Sequence, residues 1–99
     1  MTTVLLHAEA EQEFTRARQR YAGISEALGE GFAKEVRKVV AKIAGNPEAW
    51  PRHAQTPMRK CPVSRFPYLI YYRVLDDCIW IVAIAHARRR PGYWSGRVH

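Results

Sequence analysis

Two segments in the first half of the chain carry apolar residues at helical spacing. The first apolar stripe begins after Ala8 and consists of Ala10, Phe14, Ala17, Tyr21 and Ile24; the second consists of Phe32, Val36, Val39, Val40 and Ile43. Intervals of three and four residues place such side chains on one face of an α-helix. The sequence therefore predicts two amphipathic helices. A turn within residues 23–31 joins them into an antiparallel hairpin, and Gly45-Asn46-Pro47 ends the second helix.

The first helical segment also has its charges sorted along its length. An acidic group precedes a basic group: Glu9, Glu11 and Glu13, then Arg16, Arg18 and Arg20. Carboxylates near the start of a helix and cations toward its end interact favourably with the helix dipole. The pattern therefore supports a helix over this stretch.

The remaining apolar runs are short and rich in β-branched and aromatic residues. They cover Thr2–Leu6, Met58–Val63, Tyr68–Leu75 and Cys78–His86, with a proline-rich loop over residues 46–57. Pro62 cannot donate to a sheet ladder, which predicts an edge strand or a bulge, and Asp76-Asp77 predicts a tight hairpin. We expect an α+β fold of one domain over residues 1–99. Its order is β-α-α-β-β-β, with the helix hairpin on one face of a mainly antiparallel four-stranded sheet.

A two-residue loop at Asp76-Asp77 fixes which side chains share a face of this sheet, because side chains alternate along a strand. The apolar face, expected under the helices, consists of Ile70, Tyr72, Val74, Ile79, Ile81, Ala83 and Ala85. The second face, expected to be open, consists of Leu69, Tyr71, Arg73, Trp80, Val82, Ile84 and His86. This register places His86 in line with Arg73. A three-residue loop would exchange the two faces.

Composition adds a strong positive charge to this picture. The 99 residues are 47% hydrophobic and carry a formal net charge of +7, with a pI near 9.9. Such a balance favours a phosphate, an anionic surface or an acidic partner. Cys61 and Cys78 lack the spacing of a redox or zinc motif and are expected as buried thiols. The histidines are scattered and no glycine-rich phosphate loop is present, so we expect no metal and no cofactor.

The ends of the chain give no sign of export or membrane insertion. The N-terminal stretch MTTVLLHAEAEQEF has no basic start and becomes acidic early, unlike a signal peptide. The longest apolar run, Cys78–Ala85, is far shorter than the ~20 residues that a membrane helix needs. We expect a cytoplasmic protein with no membrane partner.

RNA cleavage is the enzymatic reaction that needs little beyond the predicted basic and aromatic face. The ribose 2′-hydroxyl is itself the nucleophile, and arginines bind phosphate oxygens bidentately. His86 and Tyr93 are candidates for proton transfer, and Tyr71, Trp80 and Trp94 could stack on bases. Structural interpretations stand beside these: His86 as a hydrogen-bonded residue at a strand end, and Tyr93-Trp94 as a cap folded back over the sheet.

Several segments resemble the RelE/ParE superfamily of type II toxin–antitoxin toxins. They are EAEQEFTRARQRY, FAKEVRKVVAKIAGNPEAWP, RFPYLIYYRV and, above all, AIAHARRRPGYWSGR. The resemblance spans nearly the whole chain and implies one of two activities. RelE-like members are ribosome-dependent endoribonucleases that cut mRNA with basic residues on the open sheet face and a C-terminal tyrosine. ParE-like members share the fold, poison DNA gyrase and have no demonstrated nuclease chemistry.

By position, the resemblance assigns three roles to this chain. Lys60 matches a basic residue on the second strand of the nucleases, Arg89 or Arg90 matches the arginine after the last strand, and Tyr93 matches the tyrosine. The leading hypothesis is cleavage of ribosome-bound mRNA, and the alternative is inhibition of DNA gyrase. The hypothesis has a catalytic set, His86, Tyr93, Arg89 and Arg73, and an RNA- or phosphate-binding set, Lys60, Arg65, Arg88, Arg90 and Trp94.

The sequence departs from the nuclease pattern at two positions. Leu69 stands where the nucleases carry an arginine on the third strand, and Pro62 stands where another lysine would be expected. Two alternatives follow: Arg73 or Arg65 substitutes for the missing arginine, or the nuclease activity is absent.

Either subfamily implies a cognate antitoxin whose C-terminal segment folds along the toxin. Acidic residues in that segment would complement the positive charge of this chain. We expect the antitoxin to bind the helix hairpin near Phe14, Tyr21 and Phe32 and to pair with the edge strand Met58–Val63.

Overall fold

The computed structural model describes residues 3–97, which form two helices and a four-stranded sheet. The elements are β1 (Thr3–Leu6), α1 (Ala8–Ile24), α2 (Glu26–Gly45), β2 (Met58–Pro62), β3 (Tyr68–Val74) and β4 (Cys78–His86). The strand order is β1-β4-β3-β2, in which β1 runs parallel to β4 and the other pairs are antiparallel. The predicted α+β fold is confirmed. Thr2, predicted in the first strand, lies outside the described residues.

The turn between the helices is much tighter than the sequence predicted. A single residue, Ser25, separates α1 from α2; its hydroxyl accepts a hydrogen bond from the backbone N–H of Leu28 at 3.1 Å. A serine in this position satisfies one of the free N–H groups at a helix start. Gly29, predicted within the turn, therefore lies inside α2 against α1. A Cβ atom there would lie 2.8 Å from the Cβ atom of Ala22.

The helices and the sheet enclose an aromatic core. Neighbouring rings lie with their centroids 4.9 to 6.3 Å apart. The rings belong to Phe14, Tyr21, Phe32, Phe66 and Tyr68. The hydroxyl of Tyr72 donates to the carbonyl oxygen of Pro47 at 2.7 Å and ties the end of α2 to the sheet. Neither helix within residues 3–97 is long and apolar enough to cross a membrane.

A bulge in β4 changes the face on which its last residues lie. The predicted pairing of Arg73 with Trp80 is confirmed, but Tyr72 pairs with Ile81 whereas Tyr71 pairs with Ala83. Val82 is therefore an extra residue with no partner in β3. One extra residue shifts the alternation of every later side chain. The predicted faces are consequently wrong beyond the bulge: Ile84 belongs to the helix-side core, and Ala83 and Ala85 lie on the second face.

The second face of the sheet is covered rather than open. Trp94 is only 3% exposed, and its ring packs 4.9 Å from that of Tyr71 and 5.6 Å from that of His53. Tyr93 and Trp80 pack against the same cluster. The C-terminal segment, residues 91–97, thus folds back over the sheet, as the structural interpretation of Tyr93-Trp94 predicted.

The two edges of the sheet differ in how far they are paired. β2 is an edge strand, as Pro62 predicted, but the preceding loop occupies part of its outer side. The N–H of His53 donates to Met58 at 2.7 Å, and the N–H of Lys60 donates to Pro51 at 3.3 Å. These bonds leave less of the edge for a partner strand than the sequence predicted. β1 forms the other edge, with Leu5 46% exposed.

Gly29→Ala tests the tight contact between the helices. Alanine favours a helix over glycine by about 1 kcal/mol, yet here its methyl group would overlap Ala22. We expect a net loss of about 1–2 kcal/mol in the free energy of unfolding, measured by urea denaturation. Gly23→Ala is the matched control, because nothing lies within 4 Å of a Cβ atom there. It should stabilise the protein, and equal effects of both changes would refute the contact.

Candidate functional site

A buried carboxylate, that of Glu13, joins α1 to the end of β4 and to the C-terminal segment. Glu13 is 8% exposed and shares the inner face of α1 with buried Ala10 and Ala17. One carboxylate oxygen accepts the backbone N–H of Ile84 at 3.0 Å, and the other accepts the hydroxyl of Tyr93 at 2.6 Å. Both oxygens also accept hydrogen bonds from the guanidinium group of Arg97.

Arg97 is the main partner of this carboxylate. Its two terminal nitrogens donate to the two oxygens of Glu13 at 2.9 and 3.1 Å, a bidentate pair. The same guanidinium donates to the carbonyl oxygen of Val82 at 3.1 Å, and its Nε lies 2.9 Å from Glu9. Val82 is the extra residue of the bulge, so Arg97 binds a backbone group that the strand ladder leaves free. The bulge and the C-terminal segment therefore stabilise each other.

Two guanidinium groups lie close to the ring of Tyr93. The central carbon of Arg89 is 3.6 Å from the ring centroid and that of Arg97 is 4.9 Å from it, a cation–π arrangement. Burial raises the pKa of Tyr93 well above its ordinary value, and the hydrogen bond to the anionic Glu13 raises it further. The two arginines oppose this shift only in part. Tyr93 is therefore held as a protonated donor at neutral pH.

Glu13 itself is held in its ionised form. Burial acts to raise the pKa of this carboxyl, but hydrogen bonds from Arg97, Tyr93 and Ile84 outweigh that effect. The net result is a pKa below the ordinary value, so the charge and its partners persist through the neutral range.

The four predicted catalytic residues do not form one site: His86 and Arg89 line one groove with Glu13, but Arg73 lies apart from them. His86 lies toward the helices, with its ring 5.3 Å from that of Tyr68, whereas Arg73 is exposed on the second face beside Trp80. The prediction that His86 lies in line with Arg73 is wrong, because the bulge at Val82 shifts the end of β4. Arg89 and Tyr93 do meet, but as a stacked pair over a carboxylate.

The predicted phosphate-binding residues are spread over several surfaces. Lys60 pairs with Tyr71 in the sheet and is half-buried, and Arg65 lies 3.9 Å from Glu35 beside α2. Arg88 and Arg90 are exposed in the basic turn, residues 87–90, which follows β4. Trp94 is buried, so its ring is not available to stack on a base in this conformation.

Of the predicted antitoxin-binding residues, two are at the surface and one is not. Phe14 and Tyr21 are half-buried, but Phe32 is 0% exposed in the aromatic core. The prediction that Phe32 contacts a partner is therefore wrong for this packed conformation. The ring of Phe32 packs against those of Phe14 and Tyr21 from the core side.

Two central residues, Glu13 and Arg97, were missed by the sequence analysis. Glu13 was interpreted only as part of an acidic helix start, although it falls between Ala10 and Ala17 on the apolar stripe. A carboxylate at such a position signals a buried partner. Arg97 follows Tyr93 by four residues and had no comparable signal. No cluster of three or more metal-ligating side chains occurs within residues 3–97.

Comparisons with known proteins find similarity to one family and to solved structures. A family model described as "ParE toxin of type II toxin-antitoxin system, parDE" matches residues 4–91. Among solved structures, one described as "Chromosomal ParDE TA system from P. aeruginosa" is similar with a TM-score of 0.64 at 19% sequence identity. The similarity covers 87% of this chain and 96% of the other. A comparison with curated protein sequences finds no match.

Glu13→Gln tests the central role of the carboxylate. Removing the charge leaves Arg97 without its buried counter-ion, and we expect a loss of about 3–5 kcal/mol in the free energy of unfolding. The pKa of Glu13 is lower in the folded chain than the ordinary value of 4.5 for such a carboxyl group. Its contribution is therefore complete above that pH and is lost as the pH falls through the folded pKa.

Urea denaturation of both proteins between neutral and acid pH measures this difference. The free energy of unfolding of the wild type should exceed that of Glu13→Gln at neutral pH, and the difference should shrink as the pH falls. Glu30→Gln is the control, because Glu30 pairs with Arg18 at the surface and should cost under about 1 kcal/mol. An acid-independent difference would argue against the carboxylate.

Tyr93→Phe separates structural from chemical roles of the phenol. The change removes one donor to a charged acceptor, so we expect a loss of about 1.5–3 kcal/mol in unfolding free energy. Toxicity, measured by growth arrest on induction, should persist at temperatures where the variant is folded. Tyr72→Phe is the matched control, since it removes the bond to Pro47. Loss of toxicity only in folded Tyr93→Phe would instead support proton transfer.

Proposed function

The chain belongs to the ParE toxins of type II toxin–antitoxin systems, and we propose that it inhibits growth by acting on DNA gyrase without cleaving mRNA. The match of the family model over residues 4–91 agrees with the resemblance to the RelE/ParE superfamily. Gyrase was the alternative to mRNA cleavage that the sequence left open. It is the target that the resemblance attaches to ParE-like members.

The hydrogen bond of Tyr93 to Glu13 is the observation that favours gyrase inhibition over mRNA cleavage. A general base or acid needs a pKa near the working pH, and the environment of Tyr93 moves its pKa upward, away from neutrality. Its hydroxyl is already engaged by Glu13 at 2.6 Å. His86 and Arg73 lie on opposite sides of the sheet, so the predicted catalytic set is not assembled at one site. The arrangement therefore supports a structural role for these residues better than RNA cleavage.

The basic turn is the surface that we assign to gyrase. Arg88 and Arg90 are exposed there, and no ion pair involves either of them within the described residues. The turn is held in place by bonds from the N–H groups of Arg88 and Arg89 to His86, at 3.1 and 2.9 Å. Arg89 is also stacked on Tyr93. A fixed positive surface is suited to an acidic protein partner or one bound to DNA.

The family implies an antitoxin as the second partner. We assign the antitoxin to the surface of the helix hairpin at which Phe14 and Tyr21 are half-buried. We place the complex in the cytoplasm. The positive charge of +7 supports an acidic antitoxin segment.

Substitution of the two free arginines in the basic turn tests the gyrase assignment. Arg88→Ala with Arg90→Ala should lower inhibition of purified gyrase by about tenfold, because rim charges control association. Lys34→Ala with Arg37→Ala is the control: it also removes two exposed charges, from α2. Induced cells are then assayed for gyrase-linked DNA breaks and for new mRNA 5′ ends. New mRNA ends without DNA breaks would overturn the proposal in favour of the nuclease.

A further inference from the structure

A groove between α1 and the end of β4 is lined by several hydrogen-bond donors. It encloses about 200 Å³. Its polar lining consists of Arg16, Arg20, Tyr68, His86, Arg89 and the carboxylate of Glu13. We call it the α1–β4 groove. Arg16 and Arg20 lie one helical turn apart on the exposed side of α1, so both guanidinium groups reach the same opening.

The local hydrogen bonds leave the lining with donors to spare. Nδ1 of His86 accepts the N–H of Arg88 at 3.1 Å, which makes Nε2 the donor nitrogen of the neutral ring. The hydroxyl of Tyr68 accepts a bond from Arg20 at 3.4 Å, so its own hydrogen is free to donate. Arg16 contacts only the neutral Gln12, at 3.3 Å, among the described residues.

The carboxylate of Glu13, the one acidic side chain in the lining among residues 3–97, already has its hydrogen-bonding capacity filled. Both oxygens of Glu13 accept bonds from Arg97, and they also bind Ile84 and Tyr93. Arg89 reaches that carboxylate only at 3.5 Å, beyond the strong bonds. Within residues 3–97, three guanidinium groups therefore line a space whose one acidic side chain, Glu13, is already paired with Arg97. This imbalance favours an incoming anionic oxygen group.

We propose that the α1–β4 groove binds an acidic side chain of the antitoxin. The volume suits one carboxylate-bearing side chain and is too small for a nucleotide. Arginine binds carboxylate through two parallel N–H bonds, and two or three such groups are available here. The apolar floor of Ala17 and Ile84 suits the methylene groups of a glutamate. The proposal rests on the toxin–antitoxin assignment but not on gyrase as the target.

Binding of short peptides to the purified full-length chain tests the groove. The probe is amidated hexaglutamate, compared with hexaglutamine and with a 5′-phosphorylated oligothymidylate of the same length, at low ionic strength. We expect Arg16→Ala with Arg20→Ala to weaken hexaglutamate binding by about tenfold. The control, Lys34→Ala with Arg37→Ala, removes the same charge from α2 and should change binding by less than about twofold.

Side-chain NMR resonances give the position of the peptide. His86 lines the groove and should shift during the titration, whereas His53 on the second face should not. Equal loss in both double variants, or equal binding of hexaglutamine, would overturn the proposal. Variant-sensitive binding of the oligonucleotide alone would reassign the groove to phosphate. These results are distinct from those of the gyrase experiment, which varies Arg88 and Arg90.

Discussion

The arrangement of this protein depends on the need to satisfy one buried charge. An ionised carboxylate removed from water is costly unless it is paired and hydrogen-bonded. Glu13 obtains its donors from a backbone N–H of β4 and from two residues of the C-terminal segment, Tyr93 and Arg97. These hydrogen bonds to Glu13 therefore join three separate parts of the chain. α1 fixes the end of β4, and both fix the segment that covers the second face.

The bulge at Val82 determines which side chains can act together. Without it, the alternation of side chains along β4 would place His86 on the same face as Arg73. With it, His86 turns toward α1 and contributes to the α1–β4 groove. Arg73 remains on the face that Trp94 covers. A single extra residue thus places His86 and Arg73 on different faces of the sheet.

Local patterns account for the parts of the fold that the sequence predicted. Helical spacing, prolines and the Asp76-Asp77 turn act over a few residues, so the elements, their order and the register next to the hairpin followed from them. At the bulge, by contrast, the carbonyl oxygen of Val82 accepts a hydrogen bond from Arg97 in the C-terminal segment, a tertiary contact. The close contact of Gly29 with Ala22 is likewise tertiary, although the same glycine suggested a turn locally. The site was mispredicted because it depends on these long-range contacts.

Arg89 connects the α1–β4 groove to the basic turn and suggests how one partner affects the other. It lines the α1–β4 groove, stacks on Tyr93 at 3.6 Å and sits in the middle of the basic turn. A carboxylate bound in the groove would lie beside the guanidinium group of Arg89 and compete with Glu13 for an ion pair with it. The same carboxylate would lower the positive potential around Arg88 and Arg90, where we place the contact with gyrase. An antitoxin bound at the groove would therefore weaken the attraction of the target without covering the turn itself.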